Sequence, residues 1–382
     1  MSRGNPLLAA RVYPQRCPVL FRRLLFVLSL TILLQQLVAA QTLAQPRVPE
    51  DPLELVAGEA QPVQNADQRA AAVNLLARAH ALSNVRAQPY HLKTTLTVTG
   101  SSSSDGAWTL EDISPFGGVY RWAVQGPAYS VVNLYTGGVL YSSQPSGGIP
   151  LRLAQARAAV FFNYKLIGPH SLVRTASAAL NGAGLSCVLF EPNSRAQPSA
   201  GGRSWRDSEY CVDAHSGLLI TWSPAPGVYV LYDYSNAITF HGRTIPGGFT
   251  ITEAGRTVVA ARVESVTSPA SLDPALFDPS SLSQTGVGSL MTQAWHVRSF
   301  SGRANASPNA TLQEVVVHGM LTPGGELTEA EVVASSSASL NQQALDLATK
   351  TQNWHGEDDA QPGTTPQAHE LFFTVEFATP GT

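Results

Sequence analysis

From residue 90 onward, apolar and polar positions mostly alternate along the chain. In the run 90–98, Leu92, Leu96 and Val98 share one face, and Lys93 lies on the other. Such a period of two is typical of a half-buried strand, and glycine and proline separate one run from the next. Many short strands in series predict a meandering antiparallel sheet. Further strands of this series are predicted at 107–112, 119–124, 129–135, 139–143, 172–180, 185–191, 209–212, 218–222, 228–234, 243–252 and 257–266.

Two stretches have a helical spacing of apolar residues instead, one before residue 90 and one within the series of strands. The first helix runs through Leu82 and has Asn65 or Asp67 as its N-cap. The second is predicted at 150–164, with Pro150 near its start, where proline is tolerated. Its apolar residues are Leu151, Leu153, Ala154, Ala158, Phe161 and Phe162.

The end of the chain has a different order of elements: a hairpin, a helix and a strand. An apolar run at 315–317 and a strand at 327–334 flank a turn that contains proline and glycine. The helix and the last strand each present one apolar face. For the helix this face is Leu340, Ala344, Leu347, Ala348 and Thr351, and for the strand it is Leu371, Phe373, Val375 and Phe377.

This C-terminal part resembles the C-terminal domain of TonB-type proteins. The resemblance is carried by the segment 332–337 (VVASSS), by the helical segment 340–345 (LNQQAL) and by Trp354. It implies that the strand with Leu371, Phe373, Val375 and Phe377 pairs with an extended segment of an outer-membrane transporter or another envelope protein. The alternative is that this strand only completes the sheet of its own module.

The longer, preceding part resembles the LolA/LolB-type periplasmic lipoprotein carriers. Its order of elements ends in the segment 273–277 (DPALF), and the segment 211–219 (CVDAHSGLL) is similar to a hairpin of that family. The resemblance implies a strongly curved, half-barrel-like sheet with lid helices and a concave face that holds acyl chains. The candidates for the lid and the apolar-ligand site are Leu153, Phe161, Phe162, Trp108 and Trp122. The alternative is that these aromatic residues form an ordinary core.

The N-terminus indicates export. Five arginines between Arg3 and Arg23 precede an apolar run from Leu24 to Leu34, and Val38-Ala39-Ala40 fits a cleavage site. The alternative is an uncleaved inner-membrane anchor, for which the apolar run is short. The predicted organisation is a signal peptide or anchor (1–40), a flexible leader (41–64), a LolA/LolB-like β domain (65–282), a linker (283–310) and a TonB-like domain (311–382).

Composition narrows the classes of partner. The chain has 382 residues, a net charge of -3 and only 13% charged residues. A nucleic-acid partner is therefore not expected, because phosphate binding needs clustered basic residues. After cleavage two cysteines remain, Cys187 and Cys211. An even pair in an exported chain predicts a disulfide rather than two free thiols, and no further ligands at close spacing suggest a metal site.

The usual catalytic signatures are absent from the sequence. There is no phosphate-binding glycine loop, no His-Glu-x-x-His and no Gly-x-Ser-x-Gly. Asp213, His215 and Ser216 are too close in the sequence to form a catalytic triad, in which the histidine lies between the nucleophile and the carboxylate. We therefore expect an exported α+β envelope protein without catalytic activity or cofactor. Its first predicted role is a TonB-like binding module for outer-membrane transport machinery, and the alternative is a periplasmic carrier of a lipid, a lipoprotein or another apolar ligand.

Overall fold

A computed structural model describes residues 60–100, 105–115, 118–127, 129–144, 150–161, 167–191, 207–269, 272–285, 299–301, 311–335, 337–350 and 369–379. The predicted signal peptide or anchor and most of the leader lie outside these residues. Within them, no helix combines the length and the apolar character that crossing a membrane requires.

The described residues form twenty strands and three α-helices. In chain order they are β1 (Gln61–Pro62), α1 (Ala66–Ser83), β2 (Tyr90–Val98), β3 (Gly106–Ser114), β4 (Tyr120–Gln125), β5 (Ser130–Thr136), β6 (Val139–Ser142), α2 (Leu151–Val160), β7 (Leu172–Leu180), β8 (Ala183–Glu191), β9 (Ser208–Asp213), β10 (Leu219–Ala225), β11 (Val228–Asp233), β12 (Ile238–Phe240), β13 (Arg243–Ile245), β14 (Gly248–Glu253), β15 (Arg256–Thr267), β16 (Ser283–Thr285), β17 (Ser299–Ser301), β18 (Thr311–Leu321), β19 (Leu327–Ser335), α3 (Asn341–Lys350) and β20 (His369–Thr379).

Fourteen of these strands form one antiparallel sheet, called the large sheet below. Its order is β1-β7-β8-β9-β10-β11-β14-β15-β2-β3-β4-β5-β6-β16. The sheet is curved and does not close, since β1 and β16 stand at its two ends. The predicted mostly antiparallel, curved sheet with few helices is thereby confirmed. The pairing of β15 with β2 joins the end of the meander to its beginning, for example Val259 with Val98.

Helices α1 and α2 both pack on one side of the large sheet, called the inner face. Asn65 caps α1 as predicted, because its side chain accepts a hydrogen bond from the backbone N–H of Gln68 at 2.9 Å. The main hydrophobic cluster lies on this face and joins Leu76 of α1 and Leu153 of α2 to Trp122 of β4. Its burial is the main apolar contribution to the fold.

One predicted strand is divided in the structure. The run 243–252 forms β13 and β14, and β13 pairs with β12 in a separate two-stranded sheet. Pro246 and Gly247 lie between them, and proline cannot donate to a strand ladder. A Cβ on Gly247 would stand only 2.4 Å from the carbonyl oxygen of Asn236, so the chain needs glycine at this point.

The predicted disulfide is confirmed. Cys187 in β8 lies directly opposite Cys211 in β9, and the two are bonded. Both are buried, in a cluster with Leu189 and Tyr229 on the outer face of the large sheet. A loop of this length is stabilised by roughly 3 kcal/mol in the chain-entropy account.

The C-terminal elements form a third sheet, called the C-terminal sheet, with the order β17-β20-β18-β19. One of its faces packs with α3 in a small cluster that includes Val317, Ala344 and Phe373. The other face belongs to the main cluster of the large sheet, through Val316 and Val333. The hairpin–helix–strand order is present, but only one of the two faces forms a core of its own.

The predicted apolar face of helix α3 is wrong in part. Ala344 and Ala348 are buried, whereas Leu347 is 47% exposed. The helix is only ten residues long, and Leu345 packs against the small cluster instead. Thr351 and Trp354 lie outside the described residues.

Candidate functional site

Helix α2 is the central feature of the inner face. Every residue from Arg152 to Ala159 is buried. Four of these residues are alanines, which let the helix backbone come close to the sheet. The hydroxyl of Tyr232 in β11 donates a hydrogen bond to the carbonyl oxygen of Ala159 at 2.9 Å. This short helix therefore lies inside the molecule, where the LolA-type resemblance implies a lid.

At its N-terminal end, α2 is tied to the sheet by a buried ion pair. Arg152 donates to both carboxylate oxygens of Glu253 in β14, with Nη1–Oε1 2.8 Å and Nη2–Oε2 2.7 Å. Their side chains are 1% and 0% exposed. Burial raises the pKa of Glu253, but the Arg152 guanidinium outweighs burial and lowers it overall. The carboxylate therefore stays ionised inside the protein.

At the other end, Arg157 is tied to Asp112 of β3. Its Nε and Nη2 both donate to Oδ2, at 3.0 and 2.8 Å. The hydroxyl of Tyr90 donates to the second carboxylate oxygen at 2.9 Å. The guanidinium also lies 5.0 Å from the ring of Trp122 and 5.1 Å from that of Phe161, within cation–π range. Both charges are therefore well compensated.

The predicted lid and ligand residues lie in packed surroundings. Leu153 and Trp122 belong to the main cluster and are 1% and 0% exposed. Trp108 is 2% exposed and packs against Tyr129, with 5.8 Å between ring centroids. Phe161 belongs to a neighbouring cluster, and Phe162 lies outside the described residues. Their role in binding a ligand stays a prediction.

The sequence reasoning missed the charged residues that hold α2. Arg152 and Arg157 stand in an otherwise apolar helical stretch, and that was the available signal. An arginine is almost never fully buried unless it is paired. The partners Glu253 and Asp112 lie about a hundred and about forty-five residues away in the chain, so no local pattern could identify them.

The strand predicted to bind a partner is β20, which contains Leu371, Phe373, Val375 and Phe377. It pairs with β18 along its whole length. On its other side, β17 pairs with it in parallel, from Ser299 opposite Thr374 to Ser301 opposite Glu376. At these three positions β20 is an interior strand, as expected if it completes the sheet of its own module. The proposed partner-binding role stays a prediction.

The C-terminal sheet meets the large sheet beside the Arg152–Glu253 pair. His318 of β18 places Nδ1 3.3 Å from Oε2 of Glu253. Its Nε2 lies 3.7 Å from Oε1 of Glu370 in β20, and that same oxygen is 3.9 Å from Nε of Arg152. One arginine of α2 therefore faces carboxylates of both sheets.

The turn between β10 and β11 is a second contact between the two sheets. A Cβ on Gly227 would lie 2.8 Å from the carbonyl oxygen of Val333 in β19. Gly227 also has a φ of +75°, in the left-handed region that favours glycine. The close approach of β19 therefore depends on glycine at this position.

A shallow groove of about 710 Å³ lies over β15, β2, β3 and β4. Polar side chains such as Thr95, Thr97, Thr109 and Arg262 line it, together with alanines and the edge of Trp108. Apolar ligand sites are lined mainly by hydrophobic and aromatic side chains. The lining of this groove mixes polar and apolar side chains and includes Trp108, one of the predicted ligand residues, so its part in binding stays a prediction.

The Asp213–Ser216 segment is a tight turn between β9 and β10. Oδ1 of Asp213 accepts hydrogen bonds from the backbone N–H groups of His215 and Ser216, and from the hydroxyl of Ser216. These bonds, first those of Ser216, lower the pKa of Asp213. The carboxylate is thus engaged in holding the turn.

Comparison with known proteins yields solved structures at low sequence identity and with TM-scores below 0.5. No protein-family model matches the chain, and no curated protein matches it. The chain is similar to a LolA superfamily protein from Nitrosomonas europaea, with 11% identity over 54% of this chain and 97% of that one, at a TM-score of 0.37. An outer membrane lipoprotein-sorting protein domain from Vibrio parahaemolyticus has 7% identity over 54% and 95% of the two chains, at 0.34.

MucB is also similar, with 14% identity over 65% of this chain and 74% of that one, at a TM-score of 0.26. The comparisons give no support to the TonB resemblance.

Proposed function

We propose that this chain is an exported, non-catalytic carrier of an apolar ligand, such as the acyl chains of a lipid or lipoprotein, in the periplasm. The observation that carries the proposal is helix α2. It is buried on the inner face of a curved, open sheet, and besides its apolar contacts two buried ion pairs, through Arg152 and Arg157, hold it there. In this arrangement α2 is a lid that covers the ligand site when no ligand is bound.

The interactions that hold α2 on the sheet contribute little net stability, as a helix that detaches and rebinds requires. A buried ion pair gains little net stability, because the desolvation of both charges offsets most of their attraction. The four alanines of α2 also bury less apolar surface than leucines would. When α2 leaves, Arg152 and Arg157 return to water and Glu253 and Asp112 lose their partners. The burial of acyl chains against the surface that Leu153 had covered has to offset this loss.

The size of the helix fits this exchange. A helix of ten residues is about 15 Å long and about 10 Å wide with its side chains. Its departure would uncover a trough on the inner face lined by Trp122, Tyr232 and their neighbours in the main cluster. Such an elongated apolar trough suits acyl chains rather than a compact polar ligand.

The first test identifies the cargo. The untagged protein is exported to the periplasm of a Gram-negative host, purified without detergent and extracted with organic solvent, and the extract is analysed by mass spectrometry. We expect acyl lipids or lipoproteins in molar amounts near that of the protein. An empty protein that co-purifies with an outer-membrane transporter would contradict the carrier proposal and favour the binding-module hypothesis.

The second test asks whether α2 controls access. The uptake rate of a fluorescent fatty acid is measured for Arg157→Met and Arg152→Met. Each change removes one tie, so we expect faster uptake in both. Arg174→Met is the matched control, since Arg174 forms an equally buried ion pair with Asp207 at 3.0 Å, on a strand that α2 does not tie. Equal acceleration in all three would show general loosening instead of lid opening.

A further inference from the structure

Six charged or titratable side chains meet where the C-terminal sheet packs on the large sheet. Three are carboxylates, Glu253, Glu331 and Glu370, and the cations facing them are Arg152 and Arg256. His318 lies in the middle, 8% exposed. With a neutral imidazole the three carboxylates outnumber the two guanidinium groups, so the cluster carries an excess negative charge.

The donor atoms around Nδ1 of His318 are spaced for a metal ion. Oε2 of Glu253 lies 3.3 Å away and Oε1 of Glu331 lies 3.7 Å away. All three atoms lie within 4.8 Å of one another. Zinc binds imidazole nitrogen and carboxylate oxygen at about 2.0–2.2 Å, so two ligands of one tetrahedral ion stand roughly 3.3–3.5 Å apart.

We infer that Glu253, His318 and Glu331 form a binding site for a divalent transition metal of the zinc type. The ligands are Oε2 of Glu253, Nδ1 of His318 and Oε1 of Glu331, with water in the remaining position. A set of imidazole and carboxylates selects zinc-like ions over calcium, which takes six to eight oxygen ligands.

Glu370 provides an independent reason for a cation here. It is 9% exposed, and neither of its carboxylate oxygens has a hydrogen-bond partner among the described residues. It faces Nε2 of His318, which has none either. A metal-bound histidine almost always donates its second ring N–H to a carboxylate or a carbonyl. Metal at Nδ1 leaves the proton on Nε2, directed at Glu370, and both unpartnered groups gain a partner.

The two arginines are compatible with this site. Each carboxylate oxygen has two lone pairs, so Oε2 of Glu253 can accept from Arg152 and also bind a metal. The same holds for Oε1 of Glu331, which accepts from Arg256. The pKa of Glu331 is lowered to about 2, first by its interaction with His318 and further by Arg256. It is therefore ionised at neutral pH.

The position of the ligands defines what the metal would do. Glu253 belongs to the large sheet, whereas His318 and Glu331 belong to the C-terminal sheet. The ion would clamp one sheet to the other, and Glu331, 40% exposed, provides the route from solvent. Binding to the folded state alone raises stability by mass action. This inference does not depend on the ligand carried under α2.

The test uses the exported full-length chain without an affinity tag, freed of metal by a chelator. Zinc chloride is titrated calorimetrically, and melting is followed with and without zinc. We expect one ion per chain and a higher melting temperature with zinc. The Glu331→Gln variant removes one ligand charge at a side chain that is 40% exposed and should bind about 100-fold more weakly or not at all. Glu370→Gln should bind about 10-fold more weakly, as expected when the hydrogen-bond partner of a metal-bound histidine is altered.

His215→Gln is the matched control, because His215 is exposed in the turn after β9 and remote from the cluster. It should bind zinc as the unaltered protein does. A cobalt titration gives a second readout, since tetrahedral coordination produces visible absorption bands. No zinc binding, or binding that Glu331→Gln leaves unchanged, would overturn the inference.

Discussion

The two ends of helix α2 are held by similar ion pairs in different surroundings. At one end, Asp112 receives bonds from Arg157 and Tyr90, and aromatic rings enclose the guanidinium. At the other end, Arg152 forms a bidentate pair with Glu253, but within the described part of the chain its Nε and the carboxylate of Glu370 have no hydrogen-bond partner. The first cluster lies within the large sheet and its helix, and the second joins both sheets.

This difference in hydrogen bonding makes the Arg157 end an anchor and the Arg152 end an adjustable contact. A fully bonded buried cluster is rigid and costly to disturb, whereas a partly bonded one keeps capacity for a further ligand or a changed arrangement. We therefore expect the Arg157 end to be the last part of α2 to leave the sheet when a ligand binds. The Arg152 end is where the position of the C-terminal sheet can influence α2.

The largest expected effect is at the anchor. Asp112→Ala leaves Arg157 buried without its carboxylate, and we expect a loss of about 3–5 kcal/mol in the free energy of unfolding. Chemical denaturation measures it. The control is Glu264→Ala, which removes an exposed pair with Arg262 worth about 0–1 kcal/mol. Equal losses would mean that the Asp112 cluster does not anchor the helix.

A second change tests how firmly the two sheets are joined. Gly227→Ala places a Cβ against β19 in a left-handed conformation, so we expect a loss of about 3 kcal/mol from strain and overpacking together. Gly242→Ala has the same φ of +75° but nothing within 4 Å, and it should lose only about 1–2 kcal/mol. The difference between the two, measured by denaturation, reports the contact between the sheets.

The adjustable end should respond more weakly. Glu370→Gln removes a buried charge that lacks a hydrogen-bond partner, so the free energy of unfolding should change by no more than about 1 kcal/mol. Thermal or chemical unfolding in the absence of metal measures it. A loss as large as that of Asp112→Ala would show that the two ends of α2 are equally anchored.

The smallest effect is a dependence on pH. The pKa of Glu331 is about 2 in the folded protein, below its ordinary value of 4.5. The contribution of ionised Glu331 to the free energy of unfolding is therefore fully present above about pH 4.5 and is lost as the pH falls toward 2. Because the side chain is 40% exposed, we expect no more than about 1 kcal/mol. The free energies of unfolding of Glu331→Gln and of the unaltered protein should differ at pH 6 and converge as the pH approaches 2.

Local patterns predicted much of the secondary structure. Alternation located β2, β7 and β8, and the Asn65 cap located the start of α1. The run 243–252 shows the limit, because alternation there continued across Pro246–Gly247 and concealed a break. Leu347 shows another limit. On a helix of ten residues, a single apolar position at the right spacing does not decide which side is covered.

The sequence by itself determined the antiparallel meander, the two inserted helices and the cysteine pair. Hydrophobic periodicity and helix capping depend on residues that are close in the chain. The disulfide was predictable because only two cysteines remain after cleavage and they can pair in one way. Only the tertiary structure decided which carboxylates hold Arg152 and Arg157, and that one face of the C-terminal sheet joins the main core. Those contacts form between distant strands, and any of several acidic residues would have satisfied the sequence pattern equally well.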